Sequence, residues 1–184
     1  MRTRLGLVWV LLATGVALAG CAKGPQPVEL KAYPLDNMEG VITQTGVEVD
    51  KAVSSDGRGS LRITATELTV VRLFDAGDLD VENARLIYQA KVRTENVQGI
   101  ASPETENVPG IAYLEMWCHF ANKGDFFSRA LNMALSGTND WTTLQAPFFL
   151  KKGQNPDNVR LNLVIEGTGT VWIDDVRLLK APLE

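Results

Sequence analysis

Val159-Arg160-Leu161-Asn162-Leu163-Val164-Ile165-Glu166 sets Val159, Leu161, Leu163 and Ile165 against Arg160, Asn162, Val164 and Glu166. A segment apolar at every second residue has the period of a β-strand, whose successive side chains leave on opposite faces. The same alternation recurs upstream. Leu61, Ile63 and Ala65 oppose Arg62, Thr64 and Thr66, and Leu86, Tyr88, Ala90 and Val92 oppose Ile87, Gln89, Lys91 and Arg93. Strands with one apolar face each must cover it with a second sheet. Further strands are expected near residues 41–50, 70–74, 126–135, 143–150 and 170–179, with turn signals at Gly59-Ser60 and Gly167-Thr168-Gly169. About eight or nine strands and no convincing helix predict an all-β fold, a β-sandwich jelly roll of two antiparallel sheets. Segment 78–83 has room for one short helical turn.

Composition narrows the chemistry. The formal net charge is −4 and no basic stripe is visible, which argues against a nucleic-acid partner. His119 is the only histidine, so multi-histidine zinc sites are excluded and a Ser-His-Asp triad has a single candidate base. Glycoside hydrolysis normally needs two carboxylates about 5–9.5 Å apart across a cleft. Glu115 is one plausible member, spacing nominates no partner for it beyond a guess at Glu166, and no enzymatic activity is expected.

The amino terminus carries Arg2 and Arg4, then an apolar run from Leu5 to Ala17, then Leu18-Ala19-Gly20-Cys21. The run is shorter than the ~20 residues a membrane span requires and has the order of a secretory signal. The LAGC stretch resembles the lipobox of bacterial lipoproteins. That resemblance implies that residues 1–20 are a cleaved signal peptide and that Cys21 is lipidated. The acyl chains would anchor the protein in a membrane of the cell envelope outside the cytoplasm. Ala22, in place of Asp, points to the outer membrane in a host that has one. Loss of Arg2 and Arg4 would take the charge to −6. Only Cys118 would then remain free, so no intramolecular disulfide is expected. Residues 21–34, with Pro25, Pro27 and Pro34, read as a tether to a domain over 35–182, or alternatively as a tether running into an edge strand near Val28.

Residues 94–101 read TENVQGIA and residues 105–112 read TENVPGIA, seven of eight positions matching. Two copies are too few to stack as a solenoid. The repeat reads as a tandem duplication inside a loop over 94–112, where Pro103 and Pro109 discourage central-strand pairing.

The segment 111–120 has two chemically different rows. Ala112, Leu114, Met116, Cys118 and Phe120 are apolar, while Tyr113, Glu115, Trp117 and His119 alternate with them about 7 Å apart. Aromatic rings that cover the C–H face of a pyranose, beside acids and amides that bind its hydroxyls, make a carbohydrate-binding surface. Gln89 and Lys91 would add donors if their strand lies in the same sheet, as would Arg160 and Asn162. The alternative is that Tyr113 and Trp117 pack beneath a loop. Trp141, after the Gly137-Thr138-Asn139-Asp140 turn, reads as a plug at one end of the core, and Trp172 as a packing residue.

Asn37-Met38-Glu39-Gly40, then residues 56–62 (DGRGSLR) with Ile63, then the turn into Trp141, then residues 169–178 (GTVWIDDVRL) resemble the CenC-like carbohydrate-binding modules of the galactose-binding-like fold. The resemblance implies a non-catalytic jelly roll that binds glycan on its concave sheet. It also implies a structural calcium between the early loop and the last strand, with Glu39 and Asp175 as ligands among six to eight oxygens. The function so implied is that of a membrane-anchored lipoprotein that binds carbohydrate. The alternative is a structural or protein-interaction domain of a cell-envelope complex, with an envelope protein as partner.

Overall fold

The computed structural model describes residues 26–100 and 108–183. The strands in chain order are β1 (Val28–Tyr33), β2 (Val47–Asp50), β3 (Ser60–Ala65), β4 (Thr69–Gly77), β5 (Ala84–Gln98), β6 (Ile111–Phe120), β7 (Gly124–Arg129), β8 (Gly137–Leu150), β9 (Asn158–Glu166) and β10 (Thr168–Ala181). One 3-10 turn, Leu131–Met133, joins β7 to β8. The larger sheet runs β2-β3-β10-β5-β8, with β1 also on β10, and the smaller runs β4-β9-β6-β7. Every pairing is antiparallel.

The alternating rows meet between the sheets as expected. Leu61 and Ile63, Leu86, Tyr88, Ala90 and Val92, and Val171 and Ile173 face Val71 and Leu73, Leu114, Met116 and Cys118, and Val159, Leu161, Leu163 and Ile165, all essentially without solvent contact. Each such aliphatic side chain contributes roughly 1.5–3 kcal/mol by leaving water. Cys118 is free and buried, and burial pushes its thiol up to about 12.

Several boundaries differ from the sequence reading. Residues 28–33 form β1, the strand near Val28 given as the alternative to a continuous tether, which pairs along β10 from Val28↔Lys180 to Tyr33↔Val176, so the sandwich includes residues before 35. The strand expected at 41–50 is only Val47–Asp50, although Ile42 and Thr43 donate backbone hydrogen bonds to Leu73 and Arg72 of β4. Segment 78–83 holds no helical turn because Asp78, Asp80 and Asn83 have φ of 51°, 45° and 47°, the left-handed region that a right-handed turn excludes. Trp141 is half-buried outside the core. Trp172, 5% exposed, lies against Arg93 and Arg62, whose guanidinium carbons are 5.4 and 6.0 Å from its ring centroid.

The duplicated octapeptide is only partly loop. Its first copy closes β5 in the larger sheet and its second opens β6 in the smaller one, so the repeat spans the crossover between sheets. Residues 101–107 lie outside the described residues. Gly99 and Gly110 occupy matching positions of the two copies, and their backbones touch: a Cβ on Gly99 would fall 1.7 Å from the Val108 carbonyl oxygen, and one on Gly110 would fall 2.2 Å from the Gln98 carbonyl carbon.

Candidate functional site

The outward face of the smaller sheet is assembled by register. Across β6, Glu115 lies opposite Arg129 of β7 and Asn162 of β9, Trp117 opposite Phe127 and Arg160, and His119 opposite Asp125 and Asn158. On β4, Arg72 lies opposite Asn162 and Asp75 opposite Arg160. Tyr113, Glu115, Trp117 and His119 do share one face, as the alternation of β6 requires.

Glu115 organises that face. It is 5% exposed; one carboxylate oxygen accepts hydrogen bonds from Trp117 Nε1 at 2.6 Å and Asn162 Nδ2 at 3.1 Å, and the other accepts from Arg129 Nε at 2.7 Å. Burial alone would push its pKa up, but the three hydrogen bonds and the Arg129 charge hold it below the usual carboxylate range. A carboxylate kept ionised and fully occupied is a poor general acid. Its effect is to fix the indole of Trp117 while leaving the ring partly exposed.

Beside Trp117 stands Phe127, 52% exposed, with ring centroids 5.0 Å apart and a 41° tilt. The Arg129 guanidinium lies 4.7 Å from the Phe127 centroid, so one arginine holds both the carboxylate and the second ring. The result is an apolar platform of two rings bordered by hydrogen-bonding groups. Tyr113 is buried and its hydroxyl donates to Glu166 at 2.7 Å; burial, then that bond, raises the phenol pKa. Tyr113 is thus a support at the end of the row and not an open ring, and Glu166 is occupied with it. His119, exposed, meets Asp125 at 2.7 Å through Nδ1.

Two residues expected here lie elsewhere. Gln89 and Lys91 are on β5, which pairs with β10 and β8 in the larger sheet. Gln89 accepts a hydrogen bond from Gln145 at 2.7 Å, and Lys91 Nζ is 4.0 Å from Asp175. Their strand and β6 are consecutive in sequence, but the connection crosses the sandwich, so they face opposite solvent. Conversely, Phe127, Arg129, Arg72 and Asp75 are in the site without having been singled out; the adjacent Phe126-Phe127 in an expected strand was the available signal.

The residues proposed for calcium do not fit it. Asp175 sits in a bulge of β10, accepts from Arg177 Nε at 2.8 Å and faces Lys91, so two cations already flank it. Glu39 lies exposed in the loop after β1. Nearby, the cation is Lys51, whose Nζ donates to the carbonyls of Asp36 at 2.5 Å and Arg58 at 3.1 Å. Among the described residues no group of three or more histidine, cysteine or acidic side chains is placed to hold a metal.

No family model matches this sequence, and no curated protein does. Solved structures do. The CBM22-1 xylan-binding domain of Paenibacillus barcinonensis Xyn10C superposes with a TM-score of 0.57 at 16% identity, covering 89% of this chain and 100% of that one. The CBM22-1–CBM22-2 tandem domain of Xyn10C gives 0.56 at 16% identity, covering 90% of this chain and 48% of that one. The CBM22-1–GH10 modules of Clostridium thermocellum endo-1,4-β-D-xylanase 10B, complexed with xylohexaose, give 0.57 at 11% identity, covering 83% and 29%. The chain therefore spans less than half of the last two. At these identities the likeness establishes the fold: a two-sheet β-sandwich of the kind found in carbohydrate-binding modules.

Proposed function

We propose that this chain is a non-catalytic carbohydrate-binding module whose ligand lies on the outward face of the smaller sheet, over Trp117 and Phe127. The observation that carries the reading is the pinned indole: Trp117 Nε1 is bonded to a buried, ionised Glu115, which orients a partly exposed ring beside an exposed one. Sugars present alternating C–H faces and hydroxyl edges, and a fixed ring platform with bordering amide and guanidinium donors complements both at small entropic cost. Solved structures of the same fold include a xylan-binding domain and a complex with xylohexaose, so soluble xylan is the first ligand to try, with β-glucan beside it. Calorimetric titration should show binding that Phe127→Ala weakens at least several-fold and Trp117→Ala abolishes. Equal binding by both variants, or no binding to any polysaccharide, rejects the reading.

The proposal extends to location. The LAGC sequence ending at Cys21 supports cleavage before that residue and lipidation of its thiol, which would hold the module at the cell envelope outside the cytoplasm, on the outer membrane where there is one. Mass spectrometry of the amino terminus should find an acylated cysteine, and Cys21→Ser should leave the membrane fraction. An uncut, unmodified amino terminus rejects this.

A further inference from the structure

We infer that Arg160 makes the platform selective for glycans bearing a uronic acid, receiving the sugar carboxylate beside the Trp117 ring. Other polar groups bordering the rings have close partners. Glu115 holds Arg129, Asp125 holds His119, and Asp75 accepts from two nitrogens of Arg72. Arg160 has only the already occupied Asp75, at 3.8 Å from its Nε, beyond hydrogen-bond length, and that nitrogen has no hydrogen-bond partner. Two guanidiniums thus share one carboxylate, and the charge of Arg160 has no close acceptor of its own.

Its position gives that charge a ligand. Arg160 is the residue of β9 directly opposite Trp117, and its side chain is 33% exposed. Directly opposed residues have Cβ atoms about 4.5–5.5 Å apart, so a sugar stacked on the indole carries its substituents over the guanidinium. The planar fork of arginine matches a carboxylate by two parallel hydrogen bonds. Beside it Asn162, 4% exposed, spends its amide nitrogen on Glu115 and so helps to hold the carboxylate that fixes the Trp117 indole. The whole chain carries −4, so long-range electrostatics repel acidic polymers, and any preference for one must come from local contact.

This inference rests on the platform being a glycan site, and the test separates the two. Calorimetry would compare xylo-oligosaccharides of one backbone length with and without a glucuronic acid branch. The acidic ligand should bind the parent about tenfold tighter, the equivalent of ~1.4 kcal/mol and within the range for a hydrogen bond to a charged group. In Arg160→Gln the ratio of the two affinities should fall to about one, and in Arg160→Lys it should lie between. Equal affinities in the parent, or a ratio that Arg160→Gln leaves unchanged, overturns the role of Arg160 while the platform stands. Failure of both ligands to bind overturns the platform as well. Melting temperatures of the variants, read alongside, establish that each is folded.

Discussion

Glu115 is the residue on which the platform depends, and its environment dictates how it should fail. Glu115→Ala leaves the Trp117 indole, the Asn162 amide and the Arg129 guanidinium without their shared acceptor. Stranding such groups costs about 1–3 kcal/mol each where they are buried, so urea denaturation should show a loss of at least that size. Glu115→Gln keeps an acceptor for the indole and should lose less. The pH dependence follows from the lowered pKa of Glu115 in the fold. Its contribution is fully present above the ordinary carboxylate value of ~4.3 and disappears as pH falls through the lower folded value. The parent should therefore lose stability on acidification below about pH 4 more steeply than Glu115→Gln, and parallel curves would remove Glu115 from the account. Alternation alone placed Tyr113, Glu115, Trp117 and His119 on one face. It did not reveal that Tyr113 is closed off by Glu166 or that Phe127 completes the platform, because those contacts depend on which strands flank β6.

Strand neighbours are where periodicity stops informing. A period of two assigns each residue to the core side or the solvent side, so Gln89 and Lys91 were rightly turned outward. Nothing in their own segment says that β5 belongs to the larger sheet, and the pairings that decide it, with β10 and β8, involve residues over fifty positions away. The duplicated octapeptide lies at the crossover between β5 and β6, and its geometry makes a prediction. Since a Cβ on Gly110 would fall 2.2 Å from the Gln98 carbonyl carbon, the two ends of the insertion are already in contact. Deleting residues 99–109 and joining Gln98 to Gly110 leaves a single TENVQGIA running from one sheet to the other. Loop closure costs little and grows slowly with length, so this deletion should fold cooperatively with a melting temperature equal to or above the parent's. Gly110→Ala in the full chain should do the opposite, driving a methyl group into the Gln98 backbone at a cost of roughly 1–3 kcal/mol. A deletion that fails to fold would mean that the segment itself supports the sandwich.

At the scale of the whole sandwich, the connection between β2 and β3 must be fastened to β10, and the chain does so with its own charges. Asp174, fully buried, accepts the backbone N–H of Ser55 and of Asp175, each at 2.8 Å. Asp50 accepts the N–H groups of Ala52 and Val53 and the indole N–H of Trp172; the indole bond first, and then the backbone ones against the opposing effect of burial, leave its pKa lowered. Lys51 spans the carbonyls of Asp36 and Arg58, tying the loop after β1 to the same connection. Backbone donors thus already occupy the Asp50 and Asp174 carboxylates, and the Lys51 ammonium already occupies two of the carbonyls that a hard dication would draw on. The resemblance to modules with a structural calcium did not disclose this, since Lys51 drew no notice in a segment without strand periodicity. A chelator should accordingly leave the melting temperature unchanged, and added calcium should not raise it. Asp174→Ala should lower it by the equivalent of about 2 kcal/mol, because the part-buried Ser55 N–H loses a charged acceptor, and calcium should not rescue the variant. A chelator-induced fall in melting temperature that calcium reverses would restore Glu39 and Asp175 as ligands and make Lys51 a bystander.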